Sequence, residues 1–496
     1  MTKFQPTYEQ QDAISCAFSG QSFKICAYAG TGKTSTLNLI GDTLSNKKGL
    51  YLAFNKAIAT EAQSKFKSNI RCKTFHSLAY GAVPSYLTDK LFNPRTMPKE
   101  IASKFHLQPT TLALEKNPNK EAPCSVWDLG LIIERSINNF CISGDTEVSI
   151  DNVMSAMPKW ADPDSCISLA MDLLSPARAY WDMCIDQNNH FKINHGVYLK
   201  YWSLNKPFIN TDFVLFDEAQ DADPIMLNLL SNQGCQLIYV GDRHQQIYNW
   251  RGAVNAMETL KLPEVRLTKS FRFGEEIANT ANVILKNLLG ENIPLVGNEN
   301  INSTCSIVDE PDAFLVRTNA SAFEIALILA QEGRRPRVEV DVDALNKQLD
   351  DADKMQLGVK VDKNSDYFGF NNWDEVVSYV EVNQTCDIAP FSKLIQANGV
   401  GPLRKAIQNL SQAEGDCLVS TAHKSKGLEF GNVMLYDDFI WNAEEKDKPL
   451  MTIDESRLTY VAATRAMNNL DYGGLRGFFK QLYKLDEKNR ATPLTR

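Results

Sequence analysis

Short apolar runs recur along the chain, separated by amphipathic stretches of helical period. Runs at 24–27, 49–54, 70–74, 213–216 and 236–240 predict buried strands in the first part of the chain. Those at 314–317, 418–421 and 433–436 do so in the second. Helical patterning follows the first run, over 36–40, and returns at 126–136, 166–184 and 455–466. Strands alternating with helices predict an α/β class with parallel, doubly wound sheets.

The chain has 496 residues, which as a soft prior suggests roughly three or four domains. No apolar run approaches the roughly 18–20 residues that cross a bilayer. The polar N-terminus, with Glu9, does not resemble a signal peptide, so a cytoplasmic or at least non-secreted protein is expected. The eleven cysteines are scattered without a C-x-x-C, which predicts reduced thiols rather than a zinc site or a redox pair. A net charge of −8 argues only weakly against nucleic acid, because one local basic groove is enough to bind it.

The first strong chemical signal is Ala27-Tyr28-Ala29-Gly30-Thr31-Gly32-Lys33-Thr34, followed by Ser35, between the strand at 24–27 and a helix. Strand, glycine loop and helix form the context of a P-loop. Backbone N–H groups and the helix N-terminus would face phosphate, Lys33 would reach the β/γ-phosphates, and Thr34 would ligate Mg²⁺. Ala27 stands where the first glycine is usual. The second half of such a site is Asp217-Glu218, delivered at the end of the apolar run 213–216. Taken alone, paired acids at a strand end usually mark a solvated terminus. Beside a P-loop they predict Asp217 on Mg²⁺ and Glu218 on the attacking water. A nucleoside triphosphate and Mg²⁺ are therefore expected, and the resemblance given next implies ATP.

Asp217-Glu218-Ala219-Gln220-Asp221 also resembles the UvrD/Rep-type superfamily 1A DNA helicases, and further likenesses follow in order. Gln10-Gln11-Asp12-Ala13-Ile14 resembles the Q motif, and the segment from Tyr239 to Ala253, with Gln245, Tyr248, Trp250 and Arg251, resembles motif III. Ser270-Phe271-Arg272 is similar to motif IV, the segment from Thr421 to Phe430 to motif V, and that from Leu458 to Ala466 to motif VI. Local spellings such as Phe54-Asn55-Lys56, His423-Lys424-Ser425-Lys426-Gly427 and Asp437-Asp438-Phe439 resemble the motor part of the F-box DNA helicase branch. Too few residues precede Gln10 to build an F-box, so none is expected here.

The resemblance implies roles for the matched positions. Gln10 reads the adenine edge, Phe271 stacks on the base and Glu429 bonds the ribose. Ser35 departs from the arginine that many relatives place there, which removes one face of the adenine sandwich. Gln245 senses the γ-phosphate, and Arg272 and Arg465 serve as arginine fingers. Single-stranded DNA is implied at Phe54, Asn55, Thr74, Phe75, His76, Tyr248, Trp250, Arg251 and His423, with aromatic faces stacking on bases. Lone aromatics are more often core residues. The motif context reverses that for Tyr248 and Trp250 and leaves Phe75 open.

The implied architecture is two RecA-like parallel-sheet motor domains, each carrying an inserted, mainly helical subdomain. Motor domain 1A takes 1–76 and 205–262, helical insert 1B takes 77–204, motor domain 2A takes 263–338 and 412–496, and a reduced insert 2B takes 339–411. That last insert opens acidic, with Glu339, Asp341, Asp343, Asp350, Asp351 and Asp353, as either a solvated face or a docking patch for a protein partner. The function implied is an ATP-dependent translocase on single-stranded DNA and a helicase on tailed duplex DNA, of 3′→5′ polarity. The alternative is a motor-like ATPase subunit that remodels or strips protein–DNA complexes with little unwinding of its own. Such a protein works at the nucleoid of a prokaryote or phage host, or in a eukaryotic nucleus.

Overall fold

The computed structural model describes residues 5–115, 117–158, 160–248, 252–339, 342–361, 365–367, 370–382, 388–409, 415–442 and 450–491. The chain folds as two compact units. One comprises Met1–Ile25, Thr34–Gly241 and Tyr248–Val265; the other comprises Cys26–Lys33, Asp242–Ile247 and Arg266–Arg496. Thus two short stretches, one after each of two strands, group with the second unit.

The first sheet has six strands: β1 (Phe23–Ala27), β2 (Gly49–Leu52), β3 (Ile70–Lys73), β6 (Phe213–Phe216), β7 (Gln236–Gly241) and β8 (Glu264–Leu267). Their order is β3-β2-β6-β7-β1-β8, and β2 lies parallel to both β3 and β6. The central strands β1, β2 and β6 are buried at every residue, as expected of parallel strands covered on both faces. Edge strand β3 instead alternates, with Ile70 and Cys72 inward and Arg71 and Lys73 outward. All these strands except β8 fall within or beside the runs read from the sequence.

The insert in this unit packs the helices Val126–Ile142, Pro163–Ile185 and His195–Leu204 around a core that includes Ile133, Phe140, Leu173 and Trp181. It is mainly helical, with one addition: an antiparallel pair, β4 (Thr110–Leu114) with β5 (Asn117–Cys124). In β4, exposed Thr110 and Thr111 precede a single deeply buried side chain, Leu112, so the stretch lacks the apolar stripe a helix needs.

The second sheet comprises β9 (Ala313–Val316), β10 (Pro336–Val338), β11 (Cys417–Thr421), β12 (Phe430–Leu435) and β13 (Ala466–Asp471). Its order is β10-β11-β9-β12-β13, with every neighbouring pair parallel. Helices Val342–Gln356, Trp373–Val382, Ala389–Asn398 and Val400–Asn409 pack onto it. Leu349, Trp373, Val376 and Leu403 share one apolar core with Phe314 and Val419, so the reduced insert has no separate core of its own among the described residues. Among its acids, Asp350 and Asp353 pair with Arg404, and Asp351 lies 3.3 Å from Lys354. Asp341 lies outside the described residues.

Candidate active site

The phosphate-loop segment leaves β1 at buried Ala27 and enters the helix Lys33–Thr43. Gly30 and Gly32 have φ of 73° and 79°, a region that disfavours a Cβ. At Gly30 a Cβ would also meet Arg272 Cβ and Ser270 Oγ at 2.6 Å, so glycine is required there for two reasons. The Phe271 N–H donates to Gly30 O at 2.7 Å, which seats Phe271 beside the loop with its side chain 39% exposed. Thr31 Oγ1 donates to Tyr28 O at 2.9 Å. The Tyr28 hydroxyl donates to Ile293 O at 2.6 Å, and its ring stacks on His244. Tyr28 is thus turned inward, leaving its backbone for the loop. Lys33 and Thr34 are half-buried at the helix start, and Ser35 is exposed. Gln10 is fully engaged: its Oε1 accepts from the Thr7 N–H and its Nε2 donates to Thr36 Oγ1 in that helix. The carboxamide keeps a second N–H and a second lone pair, the pair of groups that reading an adenine edge would use.

The acidic half lies at the end of β6. Asp217 Oδ2 accepts from the Tyr51 hydroxyl at 2.6 Å, and Oδ1 accepts from the Glu218 N–H at 2.9 Å. Tyr51 faces this carboxylate from β2, opposite Leu215 in the register, and burial pushes its hydroxyl far above the usual range. Glu218 has φ 53° and ψ 40°, a left-handed conformation rare for a side-chain-bearing residue, costing on the order of 1–3 kcal/mol. Gln220, wholly buried, donates to Glu218 Oε2 and so aims the carboxylate. The sequence reading assigns no role to Tyr51 or Gln220. The available signal is a hydroxyl inside an otherwise apolar strand and an amide beside the paired acids.

The residues fit a magnesium nucleotide. No group of three or more His, Cys, Asp or Glu placed to hold a metal occurs among the described residues. Mg²⁺ takes one or two protein oxygens and completes its shell with phosphate and water; Thr34 and Asp217 would supply them. The bound ion would neutralise charge on the phosphates.

Gln245, also buried, donates from Nε2 to Asp242 Oδ2 at 2.8 Å. Lys426 Nζ donates to Gln245 O at 2.7 Å. The neighbouring His244 ring lies 3.2 Å from Glu291, and this bond, ahead of the opposing effect of burial, holds the Glu291 carboxyl down to about 2. Arg272 donates to Thr464 O at 2.8 Å and to Glu429 Oε1 at 2.6 Å, so Arg272 and Glu429 meet as an ion pair. Arg465 is only 1% exposed, with Nε donating to Val461 O at 2.9 Å and Nη1 to Leu428 O at 3.3 Å.

For the set expected to face DNA, β2 and β3 are parallel neighbours, so Phe54, Asn55 and residues 74–76 leave the same, carboxyl end of the sheet. Phe54 is 42% exposed and stacks on half-buried Tyr248, with centroids 5.9 Å apart and planes 11° from parallel. Asn55 and Thr74 cap the helices Lys56–Lys65 and Phe75–Tyr80, accepting from Ile58 N–H and Ser77 N–H. His76 meets His195 and Tyr198 edge-on. His423 is half-buried, and burial followed by Arg317 and Lys426 lowers its pKa. Trp250 and Arg251 lie outside the described residues.

Phe75 is corrected by the structure. Its ring is 2% exposed and packs edge-on against Phe216 at 5.2 Å, so it has no face to offer a base. Phe75→Ala is expected to cost about 3–5 kcal/mol of stability, by cavity formation and lost transfer energy. Thermal melting beside DNA titration checks this: a variant that melts like the parent but loses DNA would return Phe75 to the DNA surface.

Comparison with known proteins places this geometry. Residues 10–251 match the family described as AAA domain, and residues 338–471 match the UvrD-like helicase C-terminal domain. F-box DNA helicase 1 of Gallus gallus is 30% identical over 94% of this chain and 49% of its own length. F-box DNA helicase protein 1 of Schizosaccharomyces pombe is 28% identical over 94% of this chain and 57% of its own. DNA helicase II of Haemophilus influenzae is 33% identical over a shorter stretch, 16% of this chain and 12% of its own. The chain spans about half the length of the two F-box relatives. With both motor segments matched and the motifs in order from Gln10 to Ala466, the chain belongs to the UvrD-like superfamily 1 helicases and is related to the motor part of the F-box DNA helicases.

Proposed function

We propose that this protein is an ATP-dependent translocase on single-stranded DNA and a helicase on tailed duplexes, moving 3′→5′. The observation that carries the reading is the exposed Phe54 ring stacked with Tyr248, three residues beyond the buried Gln245. Aromatic faces take bases without regard to sequence, as a translocating motor needs. Lys33 and the loop amides hold the phosphates, Thr34 and Asp217 take Mg²⁺, and Glu218, aimed by Gln220, draws the proton from water. Arg272 and Arg465 neutralise charge on the transferring phosphoryl group. Motor domains 1A and 2A with inserts 1B and 2B remain the assignment that fits these roles. Among the described residues no helix is long and apolar enough to cross a membrane.

The second reading, a motor-like ATPase that strips protein–DNA complexes, is favoured by one observation: the described part of the insert at 339–411 has no core of its own to act as a separate arm. Docking of a protein partner on its acidic helix is the weaker idea, because Arg404 and Lys354 already face three of the acids. The test is ATP hydrolysis with and without single-stranded DNA, beside strand displacement on 3′- and 5′-tailed duplexes. Stimulation with displacement from the 3′ tail supports the first reading, and stimulation without displacement supports the second. Hydrolysis indifferent to DNA sinks both.

Phe54→Ala is expected to weaken single-stranded DNA binding by roughly 5- to 150-fold, from about 1–3 kcal/mol of stacking. The loss should be equal on mixed-sequence and poly-dT strands, and hydrolysis without DNA should be unchanged. A base-dependent loss would point to edge recognition instead. Trp250→Ala is expected to act in the same way.

A further inference from the structure

Helix Ile453–Ala463 places Arg457 and Tyr460 one turn apart, on one face. Both reach the short stretch Asp242–Ile247, and all residues concerned belong to the second unit. Arg457 Nη1 donates to Gln246 Oε1 at 2.8 Å. The Tyr460 hydroxyl, wholly buried, does two things at once. It accepts from the Ala29 N–H of the phosphate loop at 3.2 Å and donates to Asp242 Oδ2 at 3.0 Å. That same Asp242 oxygen accepts from Gln245 Nε2 at 2.8 Å. The other oxygen of the carboxylate, Oδ1, accepts from the His244 N–H.

A single carboxylate oxygen is therefore shared between the Tyr460 hydroxyl and the carboxamide assigned to γ-phosphate sensing. A hydroxyl has one proton to give. Its proton points toward Asp242 because a carboxylate oxygen can only accept and the Ala29 N–H can only donate. Any shift of the loop amide thus changes how the hydroxyl sits on Asp242, and through that oxygen how Gln245 is held. The bonds are buried, where low local polarity strengthens each and makes an unmatched group costly.

We infer that Tyr460 is a positioning residue that relays the state of the phosphate loop, from the Ala29 amide through Asp242, to Gln245 and the segment leading to Tyr248. It touches no substrate itself. The inference rests on the nucleotide reading of the loop given above and adds the route by which the loop is heard.

Tyr460→Phe removes the hydroxyl and keeps the ring. Hydrogen–deuterium exchange is followed in peptides covering Cys26–Lys33 and Asp242–Ile247, with and without a non-hydrolysable ATP analogue. In the parent, the analogue should slow exchange in both peptides. In Tyr460→Phe, Cys26–Lys33 should still respond and Asp242–Ile247 should not. DNA-stimulated kcat should fall by about 2- to 30-fold, the range for mutations along coupling networks, with KM for ATP little changed. A parent in which Asp242–Ile247 ignores the analogue, or a variant in which it responds as before, overturns the relay. Should Tyr460→Phe fail to fold, Asp242→Asn breaks the relay from its other end and must give the same loss of response. The exchange experiment needs no DNA, so a parent whose hydrolysis ignores DNA would sink the motor reading while leaving the relay separately decided.

Discussion

Lys33→Ala and Glu218→Gln are both expected to abolish ATP turnover and yet to part on nucleotide binding. Lys33 begins the helix that follows the loop and supplies a cation to phosphate, so its loss removes ground-state attraction along with catalysis. Glu218 contributes nothing to that attraction. Its carboxylate is aimed by Gln220 from a strained left-handed backbone, an arrangement suited to taking a proton from water. The glutamine amide keeps the volume and the acceptor oxygen but not the basicity. Glu218→Gln should therefore bind ATP close to normally and hold it on DNA, whereas Lys33→Ala should bind it weakly. Equilibrium nucleotide binding beside single-turnover hydrolysis separates the two. Equal loss of binding in both variants would contradict the division of labour.

Arg272→Ala should reduce kcat by about 10³-fold or more, within the range for arginine fingers, and melt close to the parent. Its side chain is held by Glu429 and Thr464 O, while Nε is buried without a hydrogen-bond partner among the described residues. Arg465→Ala should lose as much activity but not as cleanly. That guanidinium is enclosed, with Nε on Val461 O and Nη2 3.2 Å from Thr464 Oγ1. Deleting it leaves a large void and carbonyls without donors, so a loss of about 3–5 kcal/mol of stability should accompany the kinetic defect. Single-turnover rates measured well below each variant's melting point keep the two effects apart. Near-normal hydrolysis by folded Arg465→Ala would make this residue a core element rather than a finger.

The residues expected to face DNA mark the limit of what a sequence discloses. Phe54 and Phe75 follow adjacent parallel strands, both within motifs, yet one is exposed and the other buried. Nothing local distinguishes them. The difference is made by Phe216, which receives the ring of Phe75 from a segment distant in the chain. Asn55 and Thr74 likewise have a local task, capping a helix, that their residue types alone make plausible. The acidic helix after β10 reads from sequence as solvated or docking, and Arg404, from a helix some fifty residues later, shifts the balance toward internal pairing.

The sequence by itself determined what depends on neighbours along the chain. Gly30 and Gly32 permit the left-handed backbone of the loop, apolar runs such as Phe213–Phe216 form strands buried on both faces, and Asp217-Glu218 emerge at a strand end. These outcomes follow from φ/ψ limits and from periodicity, which operate over a few residues. Only the tertiary structure decided which distant groups share a proton or a face. Tyr51 reaches Asp217 across 166 residues, and Tyr460 reaches Ala29 across 431. A hydrogen bond needs its two heavy atoms within about 3.5 Å and aligned, and burial depends on every element packed above a side chain. Neither condition is a property of a segment; both exist only once the sheets and their covering helices have been assembled.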